Sequence, residues 1–175
     1  ELSGQDFVLE FDYILKSEDE NSHIIVKYRL EENESDVVKF NPNDFGLQGR
    51  SNTYPVEIAP DQIYHFQILV LNDQIAVFIN DKLIEYSDQP TQAFGTGIEF
   101  AIHPETGIDA SLDNIKFWDL EGVELPNSAS RLDPAIQAAL DTIQNEEPLY
   151  QTSFDDWDSE DIGRNAAIVN GKLIL

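Results

Sequence analysis

The chain has 175 residues, of which 41% are hydrophobic and 10% aromatic, enough to bury the core of one domain of ordinary size. It carries 34 Asp and Glu against 10 Lys and Arg, a formal charge of -24, which argues against binding to nucleic acid or to anionic membranes. It has no cysteine and no apolar run long enough to cross a bilayer, which excludes a disulfide framework, a thiolate metal site and membrane insertion.

The first part of the chain predicts short strands separated by polar turns. The predicted strands are residues 7–15, 23–30, 37–40 and 52–58. Apolar side chains alternate along 7–15, a period of two that is typical of a strand with one solvated face. Residues 31–36 read as an acidic turn, and residues 41–44 break the chain. Pro55 places the last of these strands at a sheet edge, because proline cannot donate to the ladder.

The middle of the chain contains the clearest local unit. The predicted strands here are residues 63–71, 74–79, 82–86, 95–103 and 110–120. The first three are joined by two-residue Asn-Asp turns and therefore predict a three-strand meander. Their β-branched and aromatic side chains suit a pleated surface. Strands this frequent, joined by short polar turns, indicate an all-β antiparallel sandwich or jelly roll.

The composition changes after the last of these strands. Apolar residues recur at helical spacing over about 132–144, and Asp133 as the N-cap with Pro134 at the first helical position favours a helix start there. We therefore predict a main sandwich body at 1–120, followed by a linker at 121–153 that contains one short helix.

The tail, residues 154–175, predicts a β-hairpin. Asn170-Gly171 is a favoured two-residue hairpin turn between its apolar segments. A hairpin alone in water is only marginally stable. Because its last strand and residues 7–15 read as consecutive strands, we predict that they are neighbours in one sheet. The hairpin then completes either its own sandwich or that of a neighbouring copy.

A sandwich that lacks its opening hairpin exposes unpaired backbone groups, which a hairpin from another chain can satisfy. Donation from head to tail does not close on itself, so it propagates into a filament or repeat array. We expect this assembly to rest on Phe154, Trp157, Ile168, Leu173 and Leu175 of the tail and on Phe7, Leu9 and Phe11 of the opening strand.

Three segments carry a resemblance to a known family: residues 80–83 (Asn-Asp-Lys-Leu), 95–100 and 113–115 (Asp-Asn-Ile). In this order they resemble the concanavalin A-like lectin/glucanase superfamily in its laminin G-like form, and they are also similar to 3-keto-disaccharide hydrolase-type domains. The family's opening pattern, Phe-Asp-Asp with a Trp and a later Gly-Lys-Leu strand, is found at 154–175. The resemblance implies a jelly roll whose first strands lie at the end of the chain, through circular permutation, excision from a tandem array or strand exchange.

The sequence offers little catalytic machinery. Glu10 and Asp12 match half of the Glu-x-Asp-x-x-Glu motif of the related retaining glucanases, but Leu15 stands where the second glutamate belongs. We interpret both carboxylates as the solvated face of a strand. The three histidines lack the spacing of a zinc site, and no serine lies in a nucleophile elbow. His65 is interpreted as a surface or cross-strand partner, and we expect no enzymatic activity.

Calcium and glycans are the ligands for which the chain offers residues. The resemblance implies a cation where the first and last strands meet, and the candidate Ca²⁺ ligands are Asp113, Asp155 and Asp156. The alternative is a simple acidic turn. Aromatic platforms for a sugar face are available at Trp118, Trp157, Tyr54 and Tyr86. Tryptophans in such sandwiches also serve as core residues.

These observations lead to one prediction and one alternative. We predict an all-β antiparallel sandwich of the concanavalin A-like jelly-roll type that acts as a non-catalytic extracellular structural or adhesive module. Its partner is then a copy of itself, reached through the tail strands. The alternative is a monomeric module that binds extracellular glycans and folds its tail back onto its own domain.

Overall fold

The computed structural model describes residues 4–15, 23–31, 34–40, 44–47, 53–55, 57–87, 95–103, 110–121, 139–141, 143, 145–152, 167–169 and 172–174. Its strands are β1 (Phe7–Leu15), β2 (His23–Glu31), β3 (Glu34–Phe40), β4 (Asp44–Leu47), β5 (Thr53–Pro55), β6 (Ile63–Leu71), β7 (Gln74–Ile79), β8 (Lys82–Ser87), β9 (Gly97–His103), β10 (Ala110–Asp119), β11 (Tyr150–Thr152), β12 (Ala167–Val169) and β13 (Lys172–Ile174). Residues 139–141, 143 and 145 are helical and are called α1.

The strands form two antiparallel sheets. The large sheet has the order β12-β13-β10-β1-β6-β7-β8, and β11 also pairs with β10. The small sheet has the order β5-β4-β3-β2-β9. The predicted all-β sandwich with one short helix is therefore confirmed, as are the three-strand meander β6-β7-β8 and the edge position of β5.

The core lies between the two sheets and is rich in aromatic side chains. Phe7, Leu9 and Phe11 of β1 are at most 1% exposed and share the face of β1 that lies in this core. Phe11 and Phe66 stack with their ring centroids 5.3 Å apart and their planes 2° apart. Phe40 of the small sheet meets Phe66 edge to face at 4.6 Å. Aromatic pairs in these arrangements add to the stabilisation that burial alone provides.

The outer face of the large sheet, which points away from the small sheet, carries a second apolar cluster. It contains buried Val8, Leu69, Leu71, Ala76, Trp118 and Leu120 of the sheet with Ala139 and Ile143 of α1. Trp118 Nε1 donates a hydrogen bond to the carbonyl oxygen of Glu146, 3.2 Å away. The segment predicted as a linker thus contributes α1, which packs on this face, and β11, which extends the large sheet. The prediction that β1 has one solvated face is wrong at Val8, which is fully buried.

A bulge in β2 directs Arg29 toward the large sheet. Arg29 has a left-handed φ of 53° and is 5% exposed. Its guanidinium donates to the carbonyl oxygens of Gln5 (3.2 Å) and Asn72 and contacts Asp6 Oδ1 at 3.4 Å. The start of β1 and the β6–β7 turn are therefore fastened to the small sheet by one cation.

Three segments form strands where the sequence predicts a break, a turn or a linker. Residues 44–47 begin at a predicted break but form β4, which lies between β3 and β5. β3 starts at Glu34, inside the predicted acidic turn. Residues 150–152 form β11, which runs along residues 115–117 of β10. These short segments become strands because a partner edge is available, and propensity alone does not reveal that edge.

The tail hairpin forms as predicted, but its neighbour differs. Val169 pairs with Lys172 and Ile168 with Leu173, so a two-residue connection joins β12 and β13. β13 pairs with β10 through Leu173 and Ile174, and β10 separates it from β1. The tail and the opening strand therefore lie in one sheet, yet the prediction that they are adjacent is wrong.

This arrangement changes the contacts expected of the assembly residues. Phe7 and Leu9 pair with β10 and β6, and Phe11 pairs with β6. All three face the inner core and do not pair with the tail. Phe154, Trp157 and Leu175 lie outside the described residues. The pairing of β13 with β10 occurs within a single chain.

Candidate functional site

A row of polar side chains crosses the outer face of the large sheet beside the apolar cluster. Glu10 of β1 stands opposite Gln67 of β6 and Lys116 of β10, because paired positions of antiparallel strands share a face. Asp12 stands opposite His65 in the same way. The register of three strands thus brings together residues that are far apart in the sequence.

Glu10 is nearly buried, with 9% of its surface exposed. Its Oε1 accepts a hydrogen bond from Gln67 Nε2 at 2.6 Å. Its Oε2 has two basic neighbours, Lys116 Nζ at 3.8 Å and His65 Nε2 at 3.9 Å, both beyond hydrogen-bond distance. The interpretation of Glu10 as part of a solvated face is wrong, because Glu10 is only 9% exposed and is hydrogen-bonded to Gln67.

Asp12 has both carboxylate oxygens engaged. Oδ1 lies 3.0 Å from His65 Nδ1, and Oδ2 accepts a hydrogen bond from Asn114 Nδ2 at 2.7 Å. Since an ionised carboxylate can only accept, Nδ1 of His65 carries the proton in this pair. Asn114 reaches Asp12 from a β-bulge, where its φ is 52° and the pairing of β10 with β1 shifts. The prediction that His65 is a cross-strand partner is confirmed.

A cavity of about 360 Å³ opens between the polar row and α1. Its lining residues are Glu10, Gln67, Phe78, Asp81, Lys116, Trp118, Leu140 and Ile143. Aromatic and aliphatic side chains form one part of the wall, and charged or amide groups form the other. Apolar walls with a few converging polar groups are typical of small-molecule sites. We call this cavity the outer-face pocket.

The β7–β8 turn supplies Asp81 to the outer-face pocket. Asn80 and Asp81 both have left-handed φ values, 50° and 62°, as a two-residue type I′ hairpin turn requires. Asn80 is tied to β6 because its Oδ1 accepts a hydrogen bond from the backbone N–H of His65 at 2.9 Å. The turn that holds Asp81 is thus anchored to the strand that carries His65 and Gln67.

Comparison with known proteins identifies the fold. No protein-family model matches the chain, and no curated protein matches it. Among solved structures, a carbohydrate-binding module (CBM66) from Bacillus subtilis is 17% identical with a TM-score of 0.52, over 66% of this chain and 76% of that one. A glycosyl hydrolase-like protein from Parabacteroides distasonis is 12% identical with a TM-score of 0.51, over 67% and 73%. The chain has a concanavalin A-like jelly-roll fold.

The jelly roll brings together two of the four aromatic residues predicted for sugar binding. Trp118 lines the outer-face pocket, but it is 7% exposed and its N–H is already bonded. Trp118 is therefore part of the pocket wall and not an exposed platform on which a sugar stacks. Tyr86 packs in the same outer apolar cluster. Tyr54 lies in β5 of the other sheet, and Trp157 lies outside the described residues.

The predicted cation site falls mostly outside the described part of the jelly roll. Asp113 lies opposite Asp12, and its Oδ1 accepts a hydrogen bond from the Asn114 N–H at 2.9 Å. Asp155 and Asp156 are not among the described residues. Within the described ranges, no group of three His, Asp or Glu side chains is placed to hold a metal ion. Calcium binding stays a prediction. In the same ranges, no helix has the length and hydropathy needed to cross a membrane.

Sequence reasoning missed most residues of the outer-face pocket. Gln67, Phe78, Leu140 and Ile143 belong to no motif, Asp81 belongs only to the segment 80–83 that resembles the family, and Glu10 belongs to half of a catalytic motif. One signal was available: Glu10 and Lys116 interrupt strands whose neighbouring positions on the same face, Val8 and Trp118, are apolar. A charge at the border of an apolar face marks where a covered surface meets an accessible one.

Proposed function

We propose that this jelly roll is a non-catalytic carbohydrate-binding module and that the outer-face pocket is its ligand site. The main support is that Phe78 and Trp118 line one cavity of about 360 Å³ together with the polar residues Glu10, Gln67 and Lys116. Sugars present apolar C–H faces and hydroxyl rims, so they need both kinds of group. The likeness to a carbohydrate-binding module supports this at the level of fold.

The bonding of the carboxylates supports binding rather than catalysis. Glycoside hydrolysis uses two carboxyl groups on either side of the scissile bond, one of which donates a proton. Asp12 is held by His65 and Asn114 through both oxygens. Glu10 is bonded to Gln67 and faces Lys116, so it is placed to accept hydrogen bonds rather than to give a proton. Because polysaccharides are the ligands of this class, we place the module outside the cell.

Affinity electrophoresis and calorimetry against soluble β-glucan, galactan, mannan and fructan test the proposal. Phe78→Leu keeps an apolar side chain but removes the ring, and we expect affinity to fall at least about tenfold, or about 1.4 kcal/mol. Asp73→Asn, in the other hairpin turn of the meander, is the matched surface control and should bind as the wild type does. A reducing-end assay should release no product.

Two outcomes would contradict this proposal. If the wild type binds none of the four polysaccharides, the outer-face pocket is not a glycan site of this kind. If product accumulates at a rate that Glu10→Gln abolishes, the protein is a hydrolase and not a binding module.

A second candidate function is assembly through the tail. One observation favours it: among the described residues, β13 meets β10 through two residue pairs, whereas β1 meets β10 through eight. A short hairpin at a sheet edge can be displaced. The same edge of β10 can then pair with the hairpin of a second copy in the same register. The structural or adhesive role predicted from the sequence would follow from such exchange.

Light scattering after size exclusion separates the two candidates. Strand exchange predicts species that grow with protein concentration and that return to monomers when residues 167–175 are deleted. A mass that stays at 19.8 kDa across a hundredfold dilution series would reject assembly and would leave the carbohydrate-binding proposal untouched.

A further inference from the structure

Glu10 and Lys116 form a long ion pair at the wall of the outer-face pocket, and His65 Nε2 lies 3.9 Å from the same Glu10 oxygen. Glu10 Oε2 and Lys116 Nζ are 3.8 Å apart, with side chains 11% and 36% exposed. Within the described part of the chain, neither Glu10 Oε2 nor Lys116 Nζ makes a hydrogen bond. Gln67 binds Oε1, the other carboxylate oxygen of Glu10. A nearly buried carboxylate oxygen and an ammonium group thus face each other at a distance too long for a direct hydrogen bond.

One hydroxyl group fits this gap. Typical distances are about 2.7 Å for O–H···O and about 2.9 Å for N–H···O bonds. An oxygen at these two distances forms a triangle whose third side can be the 3.8 Å between Oε2 and Nζ. A hydroxyl is also the simplest group that donates and accepts at once. It can give its proton to Glu10 and receive one hydrogen bond from Lys116.

We propose that one ligand hydroxyl bridges Glu10 Oε2 and Lys116 Nζ, and that the outer-face pocket therefore selects neutral sugars over acidic ones. This inference rests on the proposed function and names the ligand class of the same site. Both hydrogen bonds are charge-assisted and are stronger than bonds between neutral groups.

Charged sugars fit this pair poorly. A uronic acid or sulfate can accept from Lys116, but it then faces Glu10 and Asp81 in a chain of net charge -24. Like charges at a partly buried site are strongly disfavoured. An ammonium group can only donate, so it leaves Lys116 without an acceptor and adds a second cation beside it. A neutral hydroxyl avoids both conflicts.

The test compares four single variants and the double variant Glu10→Gln/Lys116→Met on three polymers in 150 mM NaCl. Glu10→Gln and Lys116→Met remove one side of the bridge each. Glu57→Gln, in an exposed segment, and Lys39→Met, in the small sheet, change the charge equally but lie away from the outer-face pocket. The ligands are galactan, polygalacturonate and chitosan oligosaccharides. Dissociation constants are measured by calorimetry, and folding is checked by thermal unfolding.

We expect galactan to bind at least about tenfold more tightly than polygalacturonate or chitosan. Each pocket variant should lose about tenfold on galactan, and both controls should match the wild type. Because one hydroxyl bridges both groups, the double variant should lose little more than either single variant. If Glu10→Gln does not fold, Lys116→Met and the wild-type ligand comparison still decide the matter.

Several results would overturn the bridge while sparing the proposed function. They are tighter binding of polygalacturonate or chitosan, unchanged galactan affinity in the pocket variants, and fully additive losses in the double variant. Failure of the wild type to bind any neutral polysaccharide has a different meaning, because it removes the proposed function itself.

Discussion

Glu10 and Asp12 are two residues apart on β1 and share the outer face, yet their surroundings give them different roles. Asp12 uses both oxygens to hold His65 and Asn114, which fixes the bulge of β10 against β1. Glu10 uses one oxygen to hold Gln67 and turns the other toward Lys116 across the outer-face pocket. At the scale of single residues, a structural carboxylate therefore lies beside one that has capacity left for a ligand.

Tyr13 gives the protein a dependence on alkaline pH. Burial raises the pKa of the Tyr13 phenol, because the charged form loses its hydration in the core. A group whose pKa is higher in the folded state stabilises the fold fully below its unfolded pKa, about 10, and loses this contribution as the pH rises above it. One such group costs about 1.4 kcal/mol per pH unit in that range.

We therefore expect the free energy of unfolding to fall more steeply above about pH 10 in the wild type than in Tyr13→Phe. Urea unfolding between pH 8 and pH 11 measures this slope. Tyr150→Phe is the comparison, because burial raises the pKa of Tyr150 while its hydrogen bond with Thr152 opposes the shift. It should change the slope less than Tyr13→Phe does. Equal slopes in all three proteins would contradict the assignment.

At the scale of elements, α1 turns a flat sheet face into a pocket. Ala139 and Ile143 are buried against the large sheet, and Leu140 and Ile143 form part of the pocket wall. The bond from Trp118 to the Glu146 carbonyl oxygen fixes the chain directly after α1. Without this helix, the polar row and the apolar cluster would share one open surface. The helix thus contributes to stability and to the site together.

Ile143→Ala tests whether α1 contributes both to stability and to binding. We expect it to lower the free energy of unfolding by about 2–4 kcal/mol, because a buried aliphatic side chain is truncated. It should also weaken polysaccharide binding, because the wall recedes. Glu147→Ala, at an exposed position just after α1, is the control and should change stability by less than about 0.5 kcal/mol. Urea unfolding that shows the two variants alike would mean that α1 does not pack on the sheet.

The sequence revealed the elements whose signals are local. Alternating apolar residues predict β1, Asn-Asp turns predict β6 to β8, and the Asn170-Gly171 turn predicts β12 and β13. β4 and β11 could not be predicted because segments of three or four residues become strands only where an edge accepts them, which is β3 for β4 and residues 115–117 of β10 for β11. The outer-face pocket was hidden for a related reason. The alternating pattern predicts a solvated Glu10, whereas the cavity that Glu10 lines is completed by Leu140 and Ile143, more than a hundred residues later.

At the scale of the whole molecule, the net negative charge disfavours the same acidic ligands that we propose the outer-face pocket rejects. A charge of -24 repels acidic polysaccharides at a distance and so disfavours them relative to the neutral ligands proposed for the outer-face pocket. The same charge acts on the protein itself. Carboxylates spread over a compact jelly roll repel one another, and unfolding relieves that repulsion because it moves them apart.

Salt should therefore stabilise this protein. Raising NaCl from about 10 mM to about 150 mM shortens the Debye length from about 30 Å to about 8 Å, which screens the repulsion. We expect the melting temperature to rise by about 2–4 °C, the change that about 1 kcal/mol produces in a domain of this size. Differential scanning calorimetry at pH 7.5 measures it, and Glu57→Lys, which removes two units of net negative charge at an exposed position, should reduce the salt effect. A melting temperature that falls with salt would instead show that ion pairs such as Lys27 with Glu99, at 2.8 Å, outweigh the repulsion.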